Sequence, residues 1–347
     1  DFQFLEDDEA DSELQNLEIS KKAMQLCFEK SGPVHINIPL KEPLYNLVSE
    51  LAPLPKLEKD IAKFSYQLDS QLVAEWNLSK RILILVGMQN PSEELQMQLS
   101  QLAKNHSAVI LTEVTSNLNN EKFFEHIDRY IFNFTEEDMQ LFAPDLLKTV
   151  GQNVVSKKVK QFLRNAKPKN HWHVDAYWQP DTYFSLSQKI EVPAEFFFAK
   201  LLKNIQLEPK PYYNLWDSLK DKKDAKHEVY LQKLNFCDFL LYKMLAEKMP
   251  NNYNIHFANS SPIRYAQLFN FNKNKIFCNR GTSGIDGCTS TAMGFAMADE
   301  NPTILITGDL SFFYDINGLW NHYIPPYTRI IIVNNGGGDI FKIIPGP

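Results

Sequence analysis

The sequence is poor in cysteine, and none of its cysteines lie in a CxxC arrangement. The four cysteines, at positions 27, 237, 278 and 288, are too scattered to suggest a zinc or disulfide framework, so free thiols in a reducing compartment are expected. No apolar run reaches the roughly 20 residues that a membrane-spanning helix needs. The first residues also lack a basic and then apolar leader. A cytoplasmic protein without a membrane span is therefore expected.

An excess of basic residues is also missing. The chain carries 36 lysines and arginines against 42 acidic residues, which gives a net charge of −6. A nucleic-acid-binding protein normally shows a basic face, so no nucleic-acid partner is expected. Apolar residues make up 44% of the 347 residues, which is enough for a buried core in two or three domains.

Apolar runs alternate with helical patterns along most of the chain. A helix over 14–28 and a strand over 34–38 come first, and they are too little to form a domain, so an earlier part of that domain is expected to be absent. A second region has predicted strands at 81–86, 108–111 and 171–175 and predicted helices at 92–104 and 157–165. A third region has predicted strands at 254–258, 275–278, 303–307 and 329–333 and predicted helices at 231–248, 262–269, 289–298 and 315–322. This order predicts an α/β fold with doubly wound parallel sheets.

Two polar loops in the third region follow predicted strands directly. The first contains Gly308 and Asp309, and the second contains Asn335 and Gly337. Ligands of open parallel sheets bind beyond the carboxyl ends of the strands, where both loops are expected. A carboxylate, an amide oxygen and the accessible backbone carbonyl of a glycine are oxygen ligands of the kind that Mg²⁺ prefers beside phosphate groups. The loops therefore predict a metal-bridged diphosphate site, with Asp309, Asn335 and Gly337 as metal ligands.

The spacing of the two loops resembles the thiamine-diphosphate signature, in which Gly-Asp is followed by Asn-Asn after some 25 to 30 residues. Asp309 and Asn335 are 26 positions apart (335 − 309). The pattern departs at Leu310, where the signature usually has a third glycine. Thiamine diphosphate with Mg²⁺ or Mn²⁺ is the cofactor that this resemblance implies.

Longer stretches resemble one family of these enzymes, the 2-succinyl-5-enolpyruvyl-6-hydroxy-3-cyclohexene-1-carboxylate synthases of menaquinone biosynthesis. The similar stretches are Gly308 to Ser311 with Asp315 to Leu319, Asn279 to Gly287, Gly32 to Pro39 with Glu42 to Tyr45, and Asn334 to Pro345. Residues 50 to 250 match only loosely. The resemblance implies a carboligase that decarboxylates 2-oxoglutarate and adds the succinyl unit to isochorismate.

The resemblance also implies roles for individual residues. The implied cofactor-binding residues are Gly308, Asp309, Leu310, Ser311, Ser283, Gly284, Ile285, Asn335 and Ile340, with Ile285 as an apolar wedge that bends the thiamine. The implied substrate-binding residues are Ser260 and Arg264 for a carboxylate of 2-oxoglutarate, Arg280 as a second cation, Lys157 on the isochorismate side, and Phe341 and Ile344 in an apolar wall. Lys158 stands where the family pattern has arginine. The glutamate that activates the aminopyrimidine ring is expected upstream of Asp1, so no catalytic residue is assigned within the chain.

Subunits of this family have three domains, and the resemblance divides the present chain into three domain ranges and one linker. Residues 1–47 are expected to end the pyrimidine-binding domain, 48–195 to form a central α/β domain, 196–224 to be a linker, and 225–347 to form a diphosphate-binding domain that stops early. A homodimer or homotetramer is implied, because the cofactor of this family bridges domains of different subunits.

Other interpretations remain open at this point. Another thiamine-diphosphate 2-oxoacid decarboxylase, or an acetohydroxyacid synthase, is the nearest, and Leu310 with the pair Ser260 and Arg264 argues against it. A module that binds diphosphate and metal without turnover is a second. A nicotinamide dinucleotide site is disfavoured because no GxGxxG motif is present. A metal site on His171 and His173 is set aside, because the two side chains are expected to point to opposite faces of their strand.

Overall fold

The computed structural model describes residues 1–6, 11–30, 32–40 and 64–338. The chain divides into two compact units, Asp1–Ser65 and Tyr66–Pro347. The boundary expected at residues 47 and 48 lies outside the described residues.

The first unit contains the predicted helix and strand and one further strand. Its elements are β1 (Phe2–Gln3), α1 (Ser12–Lys30) and β2 (Ile36–Asn37). The two strands pair in parallel, with Phe2 opposite Ile36. The side chain of Asn16 on α1 accepts from the N–H of Leu5 at 2.7 Å and donates to its carbonyl at 2.9 Å, which fixes the helix against the segment after β1. A strand of two residues, such as β1, is too short for apolar periodicity to reveal.

The second unit contains two parallel sheets. Its strands are β3 (Ile82–Val86), β4 (Val109–Thr112), β5 (Leu146–Val150), β6 (Asn170–Val174), β7 (Gln188–Ile190), β8 (Asn254–Phe257), β9 (Lys275–Phe277), β10 (Thr303–Gly308) and β11 (Thr328–Val333). Its α-helices are α2 (Ser70–Leu78), α3 (Glu93–Lys104), α4 (Ile127–Ile131), α5 (Glu136–Leu141), α6 (Lys157–Ala166), α7 (Ala194–Leu202), α8 (Pro211–Leu231), α9 (Asp238–Lys248), α10 (Ser261–Ala266), α11 (Cys288–Ala298) and α12 (Asp309–Tyr314). Short 3-10 helices cover Val114–Ser116 and Ile316–Leu319.

Strand order makes each sheet doubly wound. The first sheet has the order β4-β3-β5-β6-β7, and the second has the order β11-β10-β8-β9. In the first sheet the chain moves outward from β3 to β4 and then returns to the other side of β3. In the second sheet it moves outward from β8 to β9 and then returns to β10 on the other side of β8. Such a reversal leaves a crevice at the carboxyl ends of the two central strands, where ligands bind. The predicted fold class is confirmed, and the crevice between β8 and β10 becomes the expected site.

Three predictions about elements of the second unit are wrong. Residues 196–224, expected as a linker, contain most of α8 and the end of α7, and Tyr212, Tyr213 and Trp216 of α8 belong to the core of the first sheet. The single helix predicted over 231–248 is divided into the end of α8 and all of α9. The helix predicted over 315–322 is replaced by α12 and a 3-10 helix, so helical backbone begins at Asp309 itself. The assignment of these ranges to named domains stays a prediction.

The two histidines of β6 share a face, which corrects the expectation that they point apart. Residues two positions apart on a strand lie on the same side of the sheet. Accordingly, Thr149 Oγ1 lies 2.9 Å from His171 Nε2 and 2.7 Å from His173 Nδ1. Burial lowers the pKa of His171 to about 4, so the imidazole is neutral at pH 7. The histidines therefore join β5 to β6 through a shared hydroxyl, as structural residues.

Gly87, directly after β3, lies at a position that leaves no room for a side chain. A Cβ built on this residue would lie 2.2 Å from the carbonyl oxygen of Gln152, which belongs to the backbone and cannot move aside alone. Gly87→Ala is expected to lower the free energy of unfolding by about 1–3 kcal/mol, the usual cost of overpacking. Urea denaturation measures the loss. Gly294→Ala is the matched control, because no atom lies within 4 Å of its added Cβ and alanine favours the helix α11. An equal effect of both substitutions would contradict the steric explanation.

Candidate functional site

The two polar loops leave neighbouring strands at one edge of the second sheet. Gly308 ends β10 and pairs in parallel register with Val333, which ends β11. Asp309 and the loop containing Asn335 therefore start from adjacent positions. The expectation that the two strands are neighbours is confirmed.

A cavity of about 340 Å³ opens at this edge. It lies beyond the carboxyl ends of β8 and β10, the crevice that the strand order indicates. Nine residues assigned from the sequence line it: Ser260, Ser283, Gly284, Ile285, Gly308, Asp309, Leu310, Ser311 and Asn335. The loops that follow four different strands thus meet around one space.

Two serines of the cavity adopt backbone conformations that side chains usually avoid. Ser260 has φ 71° and Ser283 has φ 70°, both in the left-handed region. Each such residue costs on the order of 1–3 kcal/mol and is characteristic of ligand-binding loops. A contact between loops supports this arrangement, since the hydroxyl of Ser311 donates to the carbonyl of Ile285 at 2.6 Å.

The glycine loop after β11 brings bare backbone to the same place. Gly336, Gly337 and Gly338 have φ values of 82°, 88° and 60°, which favour glycine. A Cβ built on Gly337 would lie 3.9 Å from Cδ2 of Leu310, so the two loops are in contact there. Beside Gly308 the space is open, because a Cβ built on it meets no atom within 4 Å.

Asn259 joins the cavity to Arg280, and the sequence analysis did not assign it. Its side chain is 1% exposed, and its Nδ2 donates to the carbonyls of Asn279 and Gly284, both at 2.6 Å. Its Oδ1 accepts from Nη1 of Arg280 at 3.1 Å. The side-chain amide of Asn259 therefore joins the loop from Asn279 to Gly284 to the guanidinium group of Arg280. In the sequence, Asn259 is the second residue after β8, which ends at Phe257. This position near the carboxyl end of a strand is the signal that could have identified it.

The basic residues assigned to substrates are not among the residues that line the cavity. Arg264, Arg280 and Lys157 are absent from the lining residues, although Arg280 contacts one of them. Burial lowers the pKa of Lys160, and charge repulsion from Arg280, Arg164 and Lys157 lowers it further. Burial raises the pKa of the Asp128 carboxyl, and the charges of Lys158 and Arg264 act in the opposite direction. Electrostatic interactions therefore link cations of α6 with Arg280, and both Lys158 of α6 and Arg264 of α10 act on Asp128. We call Arg264, Arg280, Lys157, Lys158 and Lys160 the cation cluster.

A buried glutamate interacts electrostatically with two members of this cluster, Arg280 and Lys160. Glu113 follows β4 directly and is 2% exposed. Its Oε2 accepts from the N–H of Val155 and its Oε1 from the N–H of Ser156, both at 2.7 Å. Burial raises the pKa of Glu113 to about 7, against the opposing effect of these two hydrogen bonds. The sequence analysis missed Glu113, although its place after a strand is the same signal that indicated Asp309.

Three assigned residues lie outside the described residues. They are Ile340, Phe341 and Ile344, and their roles stay predictions. Within the part of the chain that the structure describes, no three histidine, cysteine, aspartate or glutamate residues form a group that could hold a metal ion. The predicted ligand set contains only one such residue, Asp309, so this finding leaves it untested.

The chain matches one family model over residues 53–256, described as the middle domain of thiamine pyrophosphate. This is more than half of the 347 residues. The chain therefore belongs to the thiamine pyrophosphate (thiamine diphosphate) enzymes.

Sequence identity to curated proteins indicates which thiamine pyrophosphate enzymes the chain is similar to. The chain is 43% identical over 330 residues to 2-succinyl-5-enolpyruvyl-6-hydroxy-3-cyclohexene-1-carboxylate synthase from Flavobacterium johnsoniae, which covers 94% of this chain and 60% of the relative. It is 42% identical over 328 residues to the synthase of the same name from Flavobacterium psychrophilum, with 94% and 60% covered. The synthase from Christiangramia forsetii is 41% identical over 333 residues, with 93% and 58% covered. Within the thiamine pyrophosphate enzymes, these three relatives to which the chain is similar all carry the name of this synthase.

The chain spans about 60% of the length of the curated relatives named above. Among the helices of the described residues, none is both long enough and apolar enough to span a membrane.

Proposed function

We propose that the protein decarboxylates 2-oxoglutarate and adds the succinyl unit to isochorismate, with thiamine diphosphate and Mg²⁺ or Mn²⁺ as cofactors. The observation that carries the proposal is the convergence of Gly308–Ser311 and Ser283–Ile285 on one cavity, which Asn259 links to Arg280 of the cation cluster. Similarity to the synthases named above supports the choice of substrates.

The residues present fit a diphosphate held through a metal ion. The open space beside Gly308 gives a phosphate group room to approach the backbone. Asp309 and Asn335 line the same cavity, and the carbonyl of Gly337 belongs to the loop that contacts Leu310. One carboxylate, one amide oxygen and one carbonyl leave positions for phosphate oxygens and water in an octahedral shell. When bound, thiamine diphosphate supplies the carbanion chemistry of the decarboxylation and the addition.

The chain's own residues orient the reactants and balance their charge. Ile285 lines the same cavity as the polar loops and would supply an apolar surface against which the thiamine packs. Ser260 and Arg264 bind a carboxylate of 2-oxoglutarate, Arg280 provides a second cation, and Lys157 acts on the isochorismate side. Both substrates are dianions, and arginine binds carboxylates bidentately while staying charged. In a chain of net charge −6, the cation cluster is the local exception that such substrates need.

We also propose that the apolar residues Ile340, Phe341 and Ile344 take part in binding the cofactor and substrates. The protein acts as a homodimer or homotetramer. It works in the cytoplasm.

Turnover of the complete polypeptide with 2-oxoglutarate and with pyruvate tests the function. With thiamine diphosphate, a divalent metal ion and isochorismate present, we expect release of carbon dioxide and product from 2-oxoglutarate, with little or none from pyruvate. A clear preference for pyruvate would contradict the proposal and indicate an acetohydroxyacid synthase or a pyruvate decarboxylase. Absence of turnover with either donor, when the cofactor is bound, would indicate a binding module.

Arg264→Ala is expected to impair use of 2-oxoglutarate more than binding of the cofactor. Arg264 is exposed at the last turn of α10, so truncation leaves the core unchanged. A hydrogen bond to a charged group contributes about 1.5–3 kcal/mol, so kcat/KM for 2-oxoglutarate is expected to fall by about 10- to 100-fold. Steady-state kinetics and equilibrium binding of thiamine diphosphate measure the two effects. Arg329→Ala is the control, because Arg329 is an exposed arginine at the opposite end of the same sheet. Equal losses in substrate use and cofactor affinity would count against a substrate role for Arg264.

A further inference from the structure

Two acidic side chains, those of Glu113 and Asp128, accept hydrogen bonds from residues at the start of α6. Glu113 accepts from two consecutive backbone N–H groups, those of Val155 and Ser156. Asp128 on α4 accepts from the hydroxyl of Ser156, the N-cap residue, whose oxygen in turn accepts from the N–H of Val159 at 3.0 Å. The position of this helix start is therefore set by side chains from two other elements.

The residue that follows these anchors carries a proposed function. Lys157 is the first residue of α6 and is exposed, directly after the segment that Glu113 binds. Its backbone continues directly from Ser156, whose N–H donates to Glu113 at 2.7 Å, as does the N–H of Val155. Hydrogen bonds to an ionised carboxylate are about twice as strong as neutral ones. A change at Glu113 thus reaches Lys157 through a single peptide segment.

We propose that Glu113 is a positioning residue that fixes Lys157 and the start of α6 for binding of the acceptor dianion. The inference rests on the proposed function, since the acceptor side was assigned to Lys157 there. Glu113 touches no substrate and acts only through the backbone that it anchors.

Two effects of removing the negative charge of Glu113 oppose each other. Loss of an anion near Arg280 favours binding of a dianion, whereas loss of the anchor lets Lys157 move. Glu113 makes two hydrogen bonds of 2.7 Å to the backbone just before Lys157, whereas within the described residues no hydrogen bond or ion pair joins it to Arg280. The loss of anchoring therefore dominates, and weaker binding of the acceptor is expected.

Several titratable groups face Glu113. They are Asp128 on α4, Arg280 and Cys278 after β9, Lys160 on α6, and Tyr183 before β7. Burial raises the pKa of Cys278 to about 12 and also raises that of Tyr183, so both stay neutral near pH 7. Glu113 itself has a pKa of about 7, and its protonated form has only one oxygen fully free to accept. The anchor is therefore complete above pH 7 and weakened below it.

Glu113→Gln in the complete polypeptide tests the inference. Glutamine keeps the shape but turns an NH₂ group towards one of the two N–H donors. We expect the KM for isochorismate to rise about tenfold, which corresponds to about 1.4 kcal/mol, with the KM for 2-oxoglutarate and the Kd of thiamine diphosphate within twofold of wild type. In wild type the KM for isochorismate should fall as pH rises through about 7. The glutamine variant should lose this pH dependence, and Glu113→Asp should retain it.

Glu125→Gln is the matched control. Glu125 is also a shielded carboxylate that accepts from one backbone N–H, that of Asn120 at 3.0 Å, and from one side chain, that of Asn272 at 2.8 Å. It has no contact with α6 among the hydrogen bonds of the described residues. Equal changes in the KM for isochorismate in the two glutamine variants, or no change in Glu113→Gln, would overturn the positioning role.

Hydrogen exchange separates failure of this inference from failure of the proposed function. If wild type turns over no 2-oxoglutarate with isochorismate, the proposed function is wrong. The anchor is then tested by amide exchange of Val155 and Ser156 and by equilibrium binding of succinate as a dicarboxylate probe. Faster exchange and weaker succinate binding in Glu113→Gln, but not in Glu125→Gln, would support the positioning role. Unchanged exchange at these two amides would overturn it.

Discussion

Asp309→Ala is expected to abolish the metal-dependent part of thiamine-diphosphate binding. Asp309 begins α12, lines the cavity and supplies the only carboxylate among the three predicted metal ligands. One of its oxygens accepts from the N–H of Leu310 at 2.8 Å, so the side chain is already directed by its own loop. Without it, the metal ion would be left with two neutral protein oxygens against a diphosphate. We expect the Kd of thiamine diphosphate in the presence of Mg²⁺ to rise by at least about 100-fold, which corresponds to about 2.8 kcal/mol.

Isothermal titration with and without Mg²⁺ measures this effect. Asp286→Ala is the control, because it removes an exposed carboxylate from the neighbouring loop and changes the net charge equally. We expect Asp286→Ala to bind thiamine diphosphate as wild type does. Unchanged affinity in Asp309→Ala, with Mg²⁺ still required, would refute the metal assignment.

Lys148→Met is expected to stabilise the protein, which is an unusual outcome for a buried position. Lys148 is 0% exposed in the middle of β5, and its Nζ has no hydrogen-bond partner within the described residues. The ammonium group faces Trp76 at 3.9 Å and Trp172 at 4.2 Å from the ring centroids. Aromatic faces attract a cation, but burial still lowers the pKa of Lys148 well below its usual value. An apolar side chain of similar length removes the unpaired polar group, and a gain of about 1–3 kcal/mol in the free energy of unfolding is expected.

The gain should depend on pH in a defined direction. An unfolded lysine has a pKa near 10.4, and the folded value is lower, so the unfolded chain binds more protons between the two. Wild-type stability therefore rises with pH in that window, and Lys148→Met should lose this rise. Urea denaturation at several pH values measures both effects. Lys169→Met, at an exposed position near the start of β6, is the control. A loss of stability in Lys148→Met at pH 7 would show that the aromatic cage outweighs burial.

Lys148 also explains why one strand escaped prediction. The stretches at 82–86, 304–306 and 330–333 are continuously apolar, and each lies within a strand of the structure. In β5 the same kind of buried strand carries Lys148 and Thr149 in sequence, which breaks the apolar run although all five residues are buried. Trp76 on α2 and Trp172 on β6 face the amino group of Lys148, and both are far from it in the sequence. Local patterns cannot show that a charged residue will find such surroundings.

The residues of the site also differ in whether the sequence alone could identify them. Asp309 and Asn335 could be predicted as a pair because parallel register places the ends of adjacent strands together. The cation cluster could be predicted only through family resemblance, because it joins residues of both sheets. The position of Glu113 after β4 is visible in the sequence, but its role is not, since its partners at Val155 and Ser156 are 42 and 43 residues away. Strand ends are visible in a sequence, whereas contacts between sheets are not.

An anomalous difference map from crystals of the complete polypeptide, grown with thiamine diphosphate and Mn²⁺, tests the central claim most directly. The account predicts one metal peak beyond β10 and β11, within about 2.2 Å of a carboxylate oxygen of Asp309, the amide oxygen of Asn335, the carbonyl of Gly337 and diphosphate oxygens. A metal peak elsewhere, or a diphosphate bound away from Gly308, would contradict it.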